Sequence, residues 1–306
     1  MALSNDPLWP RAGAWPEFER SADAVILGVP TWRTSLSPTG AHATPGAVRE
    51  ALRRYSPTLM GPPVVDLDAV LRIRDAGDVD EPDGDRGEAA VIARVRELAP
   101  AFVIALGGDN SLTYPVALGA AASGLITFDA HFDLRDGVSN GTPVRRLVED
   151  TPAGSNVPTE RIDPTRIVQI GIADFANSAA YARRAADWGI RVITIDELRR
   201  RGVDDVVAEA LEIAGAGAGR IHLDIDVDVC DRSVAPGCPA SVPGGLQAWE
   251  LRALARAVSS DARVVSADIA EVDATADAED GRTVRLAALC VLELLAGRAL
   301  RPDRAR

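Results

Sequence analysis

The sequence has 306 residues, of which 47% are hydrophobic and 25% charged, and its formal net charge at pH 7 is -12. These values are ordinary for a globular protein and exclude a disordered or fibrous class. Because nucleic acids and anionic membranes need a basic surface, we expect neither as a partner, and an anionic substrate would need local positive charge at its site.

The chain begins with MALSNDPLWPRAGAWPEFER, which has Pro, Asp and Glu where a signal peptide needs an apolar stretch. No later run approaches the roughly 18–20 uncharged apolar residues of a membrane span. The three cysteines, Cys230, Cys238 and Cys290, form no CxxC pair and predict reduced thiols. We therefore expect a soluble, cytoplasmic protein.

Short apolar runs alternate with amphipathic segments along the chain. Eight runs predict strands, at 24–30, 63–67, 102–108, 124–130, 166–172, 191–198, 220–226 and 263–269. The segments that predict helices are 45–55, 87–99, 177–190, 204–216, 247–260 and 282–300. Strands that are apolar throughout predict burial on both faces, and hence a parallel sheet covered by helices. With neither a linker nor an internal repeat, the pattern predicts one α/β domain over 1–306, with three α/β/α layers and a mainly parallel sheet of about eight strands.

Ligands of such sheets bind at the carboxyl ends of the strands, and four predicted strands run into acidic residues there. The polar residues near these ends are Asp109, Asn110 and Ser111; Asp129, His131 and Asp133; Asp224, Asp226, Asp228 and Asp231; and Asp268, Glu271 and Asp273. Carboxylates packed this closely repel one another, so they predict a divalent cation that keeps them ionised. The alternation in DAHFD puts three side chains on one face of an extended segment. Oxygen-rich ligands with one imidazole favour manganese or a similar ion over structural zinc.

Each of these pieces also has a structural interpretation. A lone D-x-D at a strand end is more often a helix cap or a turn former than a ligand pair. The combination of DAHFD, DIDVD and a later strand-end glutamate, in this order, is hard to explain by caps alone. His42, in a loop rich in Gly and Pro, and His222, inside a predicted strand, are assigned structural roles.

The sequence resembles the ureohydrolase family of arginases, agmatinases and formimidoylglutamases. The segments that carry the resemblance are ILGVP (26–30), TPGAVREAL (44–52), GGDNS (107–111), DAHFD (129–133), DIDVDVCDRSVAPG (224–237), PGGL (243–246) and DIAEVD (268–273). The resemblance implies an arginase-like fold and a binuclear manganese site in which Asp129 and Asp226 bridge two ions. In that site His131 and Asp228 would complete one ion, and Asp133 with Asn110 would complete the other.

One residue departs from the family pattern for the second ion. The family normally has His where Asn110 stands, and an amide oxygen is a weaker manganese ligand than imidazole. The resemblance therefore implies two manganese ions per subunit, or one if Asn110 holds its ion too weakly.

Within the family, DAHFDLR, SNGTP and QIGIADFANSAAY are most similar to formimidoylglutamases. Arginases and agmatinases usually have a catalytic His where Asn140 stands in SNGTP. The formimidoylglutamate substrate carries two carboxylates, and Arg135, two residues after Asp133, offers the fork that a carboxylate prefers. We therefore predict substrate binding by Arg135, together with Asn140, Gly141 and Glu271 at the positions that the resemblance brings to the site. A solvated helix face is the favoured interpretation of the arginines at 145 and 146.

The resemblance implies metal-assisted hydrolysis of N-formimidoyl-L-glutamate to L-glutamate and formamide, as in histidine degradation. Asp133 would hold the nucleophile and shuttle its proton, and Glu271 would accept hydrogen bonds from the substrate's N–H groups. Two alternatives stay open: an agmatinase or guanidino-acid amidinohydrolase, and a metal-poor relative that binds without turnover. Relatives commonly form trimers or hexamers, which implies a homo-oligomer acting on a small molecule.

Overall fold

The computed structural model describes residues 6–61, 63–149 and 161–301. In chain order the strands are β1 (Ala24–Val29), β2 (Thr58–Leu59), β3 (Val65–Asp66), β4 (Ile73–Asp78), β5 (Phe102–Gly107), β6 (Gly124–Phe128), β7 (Ile167–Ile172), β8 (Arg191–Thr194), β9 (Ile221–Asp226) and β10 (Val264–Ala270). Eight of them form one sheet in the order β4-β1-β5-β10-β9-β6-β7-β8, and all its pairings are parallel. The predicted parallel sheet of about eight strands is confirmed.

The described residues also contain ten α-helices, which lie between and after the strands. They are α1 (Thr44–Leu52), α2 (Leu67–Val70), α3 (Gly84–Leu98), α4 (Thr113–Gly119), α5 (Pro143–Glu149), α6 (Ala179–Trp188), α7 (Ile195–Arg201), α8 (Val203–Ala214), α9 (Ala248–Ser259) and α10 (Arg282–Ala299). None of these helices combines the length and the apolarity that a membrane span requires. The three cysteines are buried and unpaired.

Helices cover both faces of the sheet. On one face, Ala24 and Ile26 of β1 belong to a buried apolar cluster that includes side chains of α1, α8, α9 and α10. On the other face, Val25 and Leu27 belong to a cluster with side chains of α3 and α4. Because successive residues of a strand point to opposite faces, a strand that is apolar throughout needs cover on both sides. The three-layer α/β/α prediction is confirmed.

One predicted strand is wrong, and one strand of the sheet was missed. Residues 63–67 contribute only the two-residue β3, which pairs with β2 outside the main sheet. The eighth strand is β4, with the sequence IRDAGD, at the sheet edge beside β1. Its exposure increases toward its end, so polar residues are tolerated there, and a search for apolar runs does not detect it.

Two further elements differ from the sequence pattern. The predicted strand 191–198 stops at Thr194, because the Thr194 hydroxyl accepts the backbone N–H of Glu197 at 3.2 Å and caps α7. The helix α4 is buried along its whole length, so it has no polar face and no amphipathic period that would reveal it.

A row of polar side chains crosses the centre of the sheet. In register, Asp268 of β10 lies beside Asp224 of β9, Asp224 lies beside Thr127 of β6, and Thr127 lies beside Gln169 of β7. All four are fully buried. The expectation that Asp224 and Asp268 lie with the other acids at the carboxyl edge is wrong, because both lie inside their strands. Asp268 instead accepts a hydrogen bond from the ring of the buried His222, at 2.9 Å.

Candidate metal centre

Four consecutive strands of the sheet bring the candidate ligands together. Their order, β5-β10-β9-β6, makes each one the direct neighbour of the next. The candidate side chains are Asn110 after β5, Asp129, His131 and Asp133 after β6, Asp226 and Asp228 at the end of β9, and Glu271 after β10. Because the strands are parallel, all these side chains lie at the same edge of the sheet.

Asp129, His131 and Asp228 form the first group of potential ligands. One ligand atom from each lies within 4.8 Å of the other two. The His131 Nδ1 atom is 2.9 Å from the nearer carboxylate oxygen of Asp228 and 3.5 Å from that of Asp129. The backbone N–H of His131 also donates to Asp129 at 2.6 Å, which holds the carboxylate against the following turn. An imidazole and two carboxylates in this arrangement suit a divalent ion.

Asp129, Asp133 and Asp226 form the second group, with ligand atoms within the same distance. The Oδ2 atom of Asp129 is buried and has no hydrogen-bond partner among the described residues. A buried carboxylate oxygen is rarely left without a partner, so an ion between the two groups would fit the site. The two groups share Asp129, as expected for a bridging ligand, whereas Asp226 belongs only to the second.

His131 is the basic residue that lies among the carboxylates of the acidic cluster. Burial opposes protonation of His131, but the carboxylates of Asp228 and Asp129 outweigh it and raise the His131 pKa to about 12. Burial and the charge of Asp228 raise the pKa of Asp129 to about 6, and burial together with neighbouring carboxylates raises the pKa values of Asp133 and Asp226 well above the ordinary range. A divalent cation would supply the positive charge that these carboxylates lack.

Asn110 lies beside Asp133, where the resemblance expects a ligand of the second ion. Its Nδ2 donates to Oδ2 of Asp133 at 2.8 Å, and its Oδ1 accepts the Thr113 hydroxyl at 2.8 Å. In this orientation the amide positions the carboxylate of Asp133 by a hydrogen bond. A half-turn of the amide would direct its oxygen toward Asp133 and its nitrogen toward Thr113, whose hydroxyl also accepts. The role of Asn110 as a ligand therefore stays a prediction.

Glu271 faces the metal-ligand candidates from β10. Its Oε1 accepts the backbone N–H of Asn110 at 2.8 Å and the Nδ2 of Asn140 at 2.7 Å. Burial and the charge of Asp109 outweigh these hydrogen bonds and raise the Glu271 pKa to about 8. Asn140 in turn accepts the backbone N–H of Leu36 at 3.0 Å, so its amide orientation is set from both ends.

The backbone is left-handed at both proposed catalytic carboxylates, with φ of 52° at Asp133 and 59° at Glu271. Residues other than glycine seldom adopt this conformation, and its cost is of order 1–3 kcal/mol per residue. Such strain concentrates at functional sites, where the surrounding structure holds it. Of the six non-glycine residues with positive φ in the described part of the chain, Asp133 and Glu271 are the two that line the cavity beside the acidic cluster.

A cavity of about 660 Å³ opens beside the cluster, lined by His131, Asp133, Asp226, Asp228 and Glu271 on its floor. Arg135 lines the wall, is exposed, and makes no side-chain hydrogen bond or ion pair with any described residue. Gly141 provides room for it, since a Cβ at 141 would lie 2.8 Å from the Arg135 Cδ atom. The structure thus brings the predicted substrate-binding residues Arg135, Asn140, Gly141 and Glu271 to one cavity.

The helix α6 forms another part of the cavity wall, and the sequence patterns assigned no role to its side chains. Tyr181 and Arg184 of this helix line the cavity, together with Asn177 just before it. The Asn177 amide accepts the backbone N–H of Phe132 at 3.0 Å and donates to the carbonyl of Ala130 at 2.8 Å. It therefore fastens the ligand-bearing loop after β6. The only signal for this wall was the resemblance of QIGIADFANSAAY to one branch of the family.

The expectation of a solvated face at the arginines 145 and 146 is wrong, because both are buried. Arg145 donates to the carbonyls of Arg135 and Gly137, at 2.8 and 2.6 Å, and so ties down the loop that carries Arg135. Arg146 binds Glu88 with both terminal nitrogens, at 2.6 and 2.8 Å. Their roles follow from these contacts, which hold the protein structure in place.

The remaining acids near the strand ends act as turn anchors. Asp109, Asp231 and Asp273 accept hydrogen bonds from nearby backbone N–H groups and from serine or threonine hydroxyls. Here the structural interpretation of strand-end aspartates holds. His42, which lies against the Trp32 ring, and the buried His222 are both outside the two ligand groups.

Comparison with known proteins gives a consistent result over most of the chain. A family model described as "Arginase family" matches residues 22–297. Formimidoylglutamase of Bacillus subtilis (strain 168) is 34% identical over 295 residues, which cover 91% of this chain and 88% of that protein. A crystal structure of formimidoylglutamase from Bacillus subtilis superposes with a TM-score of 0.88 and 30% identity, covering 98% of this chain and 95% of that chain. A crystal structure of Trypanosoma cruzi formiminoglutamase with Mn2+ superposes with a TM-score of 0.84 and 25% identity, covering 96% and 99%.

Proposed function

The chain belongs to the arginase family and is a manganese-dependent hydrolase of C–N bonds in linear amidines; we propose that its substrate is N-formimidoyl-L-glutamate, which it splits into L-glutamate and formamide. The observation that carries this proposal is the exposed guanidinium of Arg135, which has no partner among the described residues and lines the cavity beside the acidic cluster. The relatives named formimidoylglutamase support the same substrate.

The two ligand groups would hold the metal. Asp129, His131 and Asp228 would bind one ion, and Asp129, Asp133 and Asp226, with Asn110, would bind the other. We propose two manganese ions per subunit, with the one beside Asn110 held more weakly. When bound, manganese lowers the pKa of water so that hydroxide is available near neutral pH.

Glu271 would orient the amidine. Its carboxylate lines the cavity, and the Asn140 amide and the Asn110 backbone N–H fix its Oε1 atom. Oxygens of this carboxylate would accept the N–H groups of the substrate and aim the amidine carbon at the acidic cluster. A cationic amidinium at this position favours the ionised form of Glu271, which burial otherwise disfavours.

Asp133 would act as the general base and then the general acid that transfers the proton. Its carboxylate borders the cavity, and the Nδ2 atom of Asn110 donates a hydrogen bond to its Oδ2 atom. As the new C–O bond forms, Asp133 accepts the proton of the water. It then gives this proton to the substrate nitrogen as the C–N bond breaks. The hydroxyl of the tetrahedral carbon loses its own proton as it becomes the carbonyl of formamide, and this proton goes to the freed amine, so glutamate leaves as an ammonium.

Arg135 would recognise a carboxylate at the tail of the substrate. An arginine fork binds a carboxylate with two parallel hydrogen bonds and supplies the local positive charge that an anion needs in this acidic protein. Agmatine, which has an amine at the corresponding position, would be repelled by Arg135. A guanidino acid would keep this contact, so it is the competitor that the experiment must include.

The decisive experiment compares kcat/KM of the manganese-loaded protein for formimidoylglutamate, agmatine, arginine and 4-guanidinobutyrate. We expect formimidoylglutamate to be the best substrate by at least about tenfold. A preference for agmatine would contradict the proposal, and a preference for guanidinobutyrate would keep the role of Arg135 and change the substrate. Metal analysis of the same sample tests the alternative of a metal-poor binding protein, which predicts no bound manganese and no turnover.

We also propose that the chain is a homo-oligomer, trimer or hexamer, that it works in the cytoplasm, and that residues 1–306 form one domain. The unpaired, buried cysteines are in keeping with a reducing compartment. Light scattering coupled to size-exclusion chromatography measures the oligomer directly. A monomer at micromolar concentration would contradict the first part of this proposal.

A further inference from the structure

The substrate proposed above has two carboxylates, whereas Arg135 can bind only one of them with its fork. The lining of the cavity contains a second guanidinium, that of Arg184 on α6. The two arginines approach the cavity from elements far apart in the sequence. The contacts of Arg184 decide whether it serves the protein structure alone or is available to a ligand.

The hydrogen bonds of Arg184 to the described residues all come from one of its three nitrogens, Nη1. Its Nη1 atom donates to the carbonyl of Leu134 at 2.7 Å and to Asp136 at 3.0 Å. Its guanidinium carbon lies 5.6 Å from the ring centre of Tyr181 and 5.9 Å from that of Trp188, one turn before and one turn after it on the same helix. These contacts direct the Arg184 side chain toward the loop that also carries Arg135. Because the side chain is already ordered, binding a ligand would cost little additional conformational entropy.

The other two nitrogens of Arg184 are available. Within the described residues, neither Nε nor Nη2 of Arg184 makes a hydrogen bond. The side chain of Asp136 is 80% exposed, so its pairing with Arg184 is screened by water and weak. Arg145 shows the contrast, since its Nε, Nη1 and Nη2 atoms all donate to protein oxygens and its side chain is only 10% exposed. Arg184 thus keeps two donors of the kind that Arg145 uses on protein oxygens.

We propose that Arg184 binds the second carboxylate of the substrate, so that Arg135 and Arg184 each take one carboxylate of an N-substituted amino dicarboxylate. This inference rests on the proposed function. The Nε and Nη2 atoms of Arg184 form the edge of the guanidinium that a carboxylate can bind with two parallel hydrogen bonds. The acidic cluster fixes the amidine, and the two arginines that line the cavity fix the two carboxylates of the glutamate part. A substrate with one carboxylate leaves one arginine without its partner.

The test removes one carboxylate at a time from the substrate. N-formimidoyl-4-aminobutyrate lacks the α-carboxylate, and N-formimidoyl-L-glutamine replaces the side-chain carboxylate by a neutral amide. For each protein, the quantities to compare are the ratios of kcat/KM for formimidoylglutamate to kcat/KM for each analogue. In the wild type we expect both ratios to be about 10–100, the size of a charge-assisted hydrogen bond.

In Arg184→Gln, one of the two ratios should fall toward 1, and in Arg135→Gln the other one should. Arg184→Lys should keep part of the lost ratio, because a point charge replaces the fork. The matched control is Arg183→Gln, which makes the same charge change on the exposed side of α6, away from the cavity, and should leave both ratios as in the wild type.

Several results would overturn the inference. An equal loss of kcat/KM for all three substrates in Arg184→Gln would mean that Arg184 only supports the loop at Leu134. Unchanged ratios in that variant, or the same ratio falling in both variants, would also contradict the inference. A wild-type protein that hydrolyses none of the three formimidoyl compounds would instead refute the proposed function.

A second variant covers the case in which Arg184→Gln does not fold. Asp136→Asn keeps Arg184 and removes its screened partner, so KM should decrease for the substrates that carry the carboxylate bound by Arg184 and stay the same for the analogue that lacks it. The same response for all three substrates would overturn the inference.

Discussion

Asn140 donates a hydrogen bond from its Nδ2 atom to Oε1 of Glu271 over 2.7 Å. The two residues are 131 positions apart in the sequence, and the contact spans the loop after β6 and the end of β10. At the position where arginases and agmatinases usually have a histidine, this chain therefore has an amide that orients a carboxylate. An amide cannot take up or release a proton near neutral pH, so Asn140 acts here by positioning Glu271.

Replacing Asn140 tests this positioning role. Asn140→Ala removes a hydrogen bond to a carboxylate, so kcat/KM for formimidoylglutamate should fall by about tenfold or more, while bound manganese stays unchanged. Steady-state kinetics and metal analysis of the same preparation measure the two effects. Asn140→Ser keeps a donor at shorter reach and should lose less than Asn140→Ala. Equal activity of wild type and Asn140→Ala would contradict the role.

Asn110→His tests the weaker position of the metal centre. Imidazole is a better manganese ligand than an amide, so the variant should bind the second ion more tightly and with higher occupancy. Titration with manganese followed by metal analysis gives both quantities. Asn110→Ala is the opposite control and should lower the occupancy of this position. Equal stoichiometry and affinity in wild type and Asn110→His would show that Asn110 acts only through its hydrogen bond to Asp133.

Arg135→Ala tests recognition of the carboxylate. Loss of a charge-assisted hydrogen bond worth roughly 1.5–3 kcal/mol should lower kcat/KM for formimidoylglutamate by about one to two powers of ten. Manganese content should not change, because Arg135 is outside both ligand groups. Arg135→Lys should recover part of the loss, since a point charge cannot reproduce the fork. A variant as active as the wild type would exclude Arg135 from substrate binding.

The ion pair between the buried Arg146 and the partly buried Glu88 should stabilise the folded protein. The Arg146 guanidinium also lies 3.8 Å from the ring centre of Tyr114. Arg146→Ala leaves the partly buried Glu88 without its charged partner, so the free energy of unfolding should fall by about 1.5–3 kcal/mol. Urea unfolding measures the change. Arg96→Ala, at an exposed position of α3, is the control and should stay within about 0.5 kcal/mol of the wild type. A change at Arg146 as small as that of the control would mean that this ion pair contributes little to stability.

The metal-free protein should lose stability as the pH rises from about 4.5 to 8. Burial raises the Glu271 pKa from 4.5 in the unfolded chain to about 8 in the folded chain, and an acid with a raised pKa binds more protons when folded. The free energy of unfolding therefore decreases as the pH rises through this window. His131 changes stability in the same direction above pH 6.5, because its folded pKa is about 12.

Thermal unfolding at several pH values, with and without manganese, measures this dependence. Manganese should restore stability at pH 8, since a cation binds the ionised carboxylates of the folded state only. Glu271→Gln should reduce the slope of the metal-free protein. Metal-free stability that increases between pH 5 and 8 would contradict the assigned charges.

Part of the fold could be predicted from the sequence because a strand buried on both faces is a continuous apolar run. Apolar runs such as 102–108 and 124–130 predicted buried strands of a parallel sheet, and they are β5 and β6 of the structure. The same rule failed for β4, whose edge position permits polar residues, and for α4, whose complete burial removes the amphipathic period. In both cases the environment of the element depends on neighbours that lie elsewhere in the chain.

The sequence by itself determined which side chains could form the candidate metal centre. The one-residue alternation in DAHFD and DIDVD is a local property, which puts the alternating side chains on one face. If the two segments lie close together, their carboxylates repel one another unless a cation lies between them. Only the tertiary structure decided that β5, β10, β9 and β6 are adjacent, which brings Asn110 and Glu271 to the same edge.

The tertiary structure also separated arginines that look alike in the sequence. It left Arg135 and Arg184 open to the cavity and buried Arg145 and Arg146 against protein oxygens. Exposure and hydrogen bonding depend on contacts between residues distant in the chain, and no local pattern of residue types records them. For this reason the ligand candidates and Arg135 could be named from the sequence, whereas Arg184 and the contacts of α6 with the cavity could not.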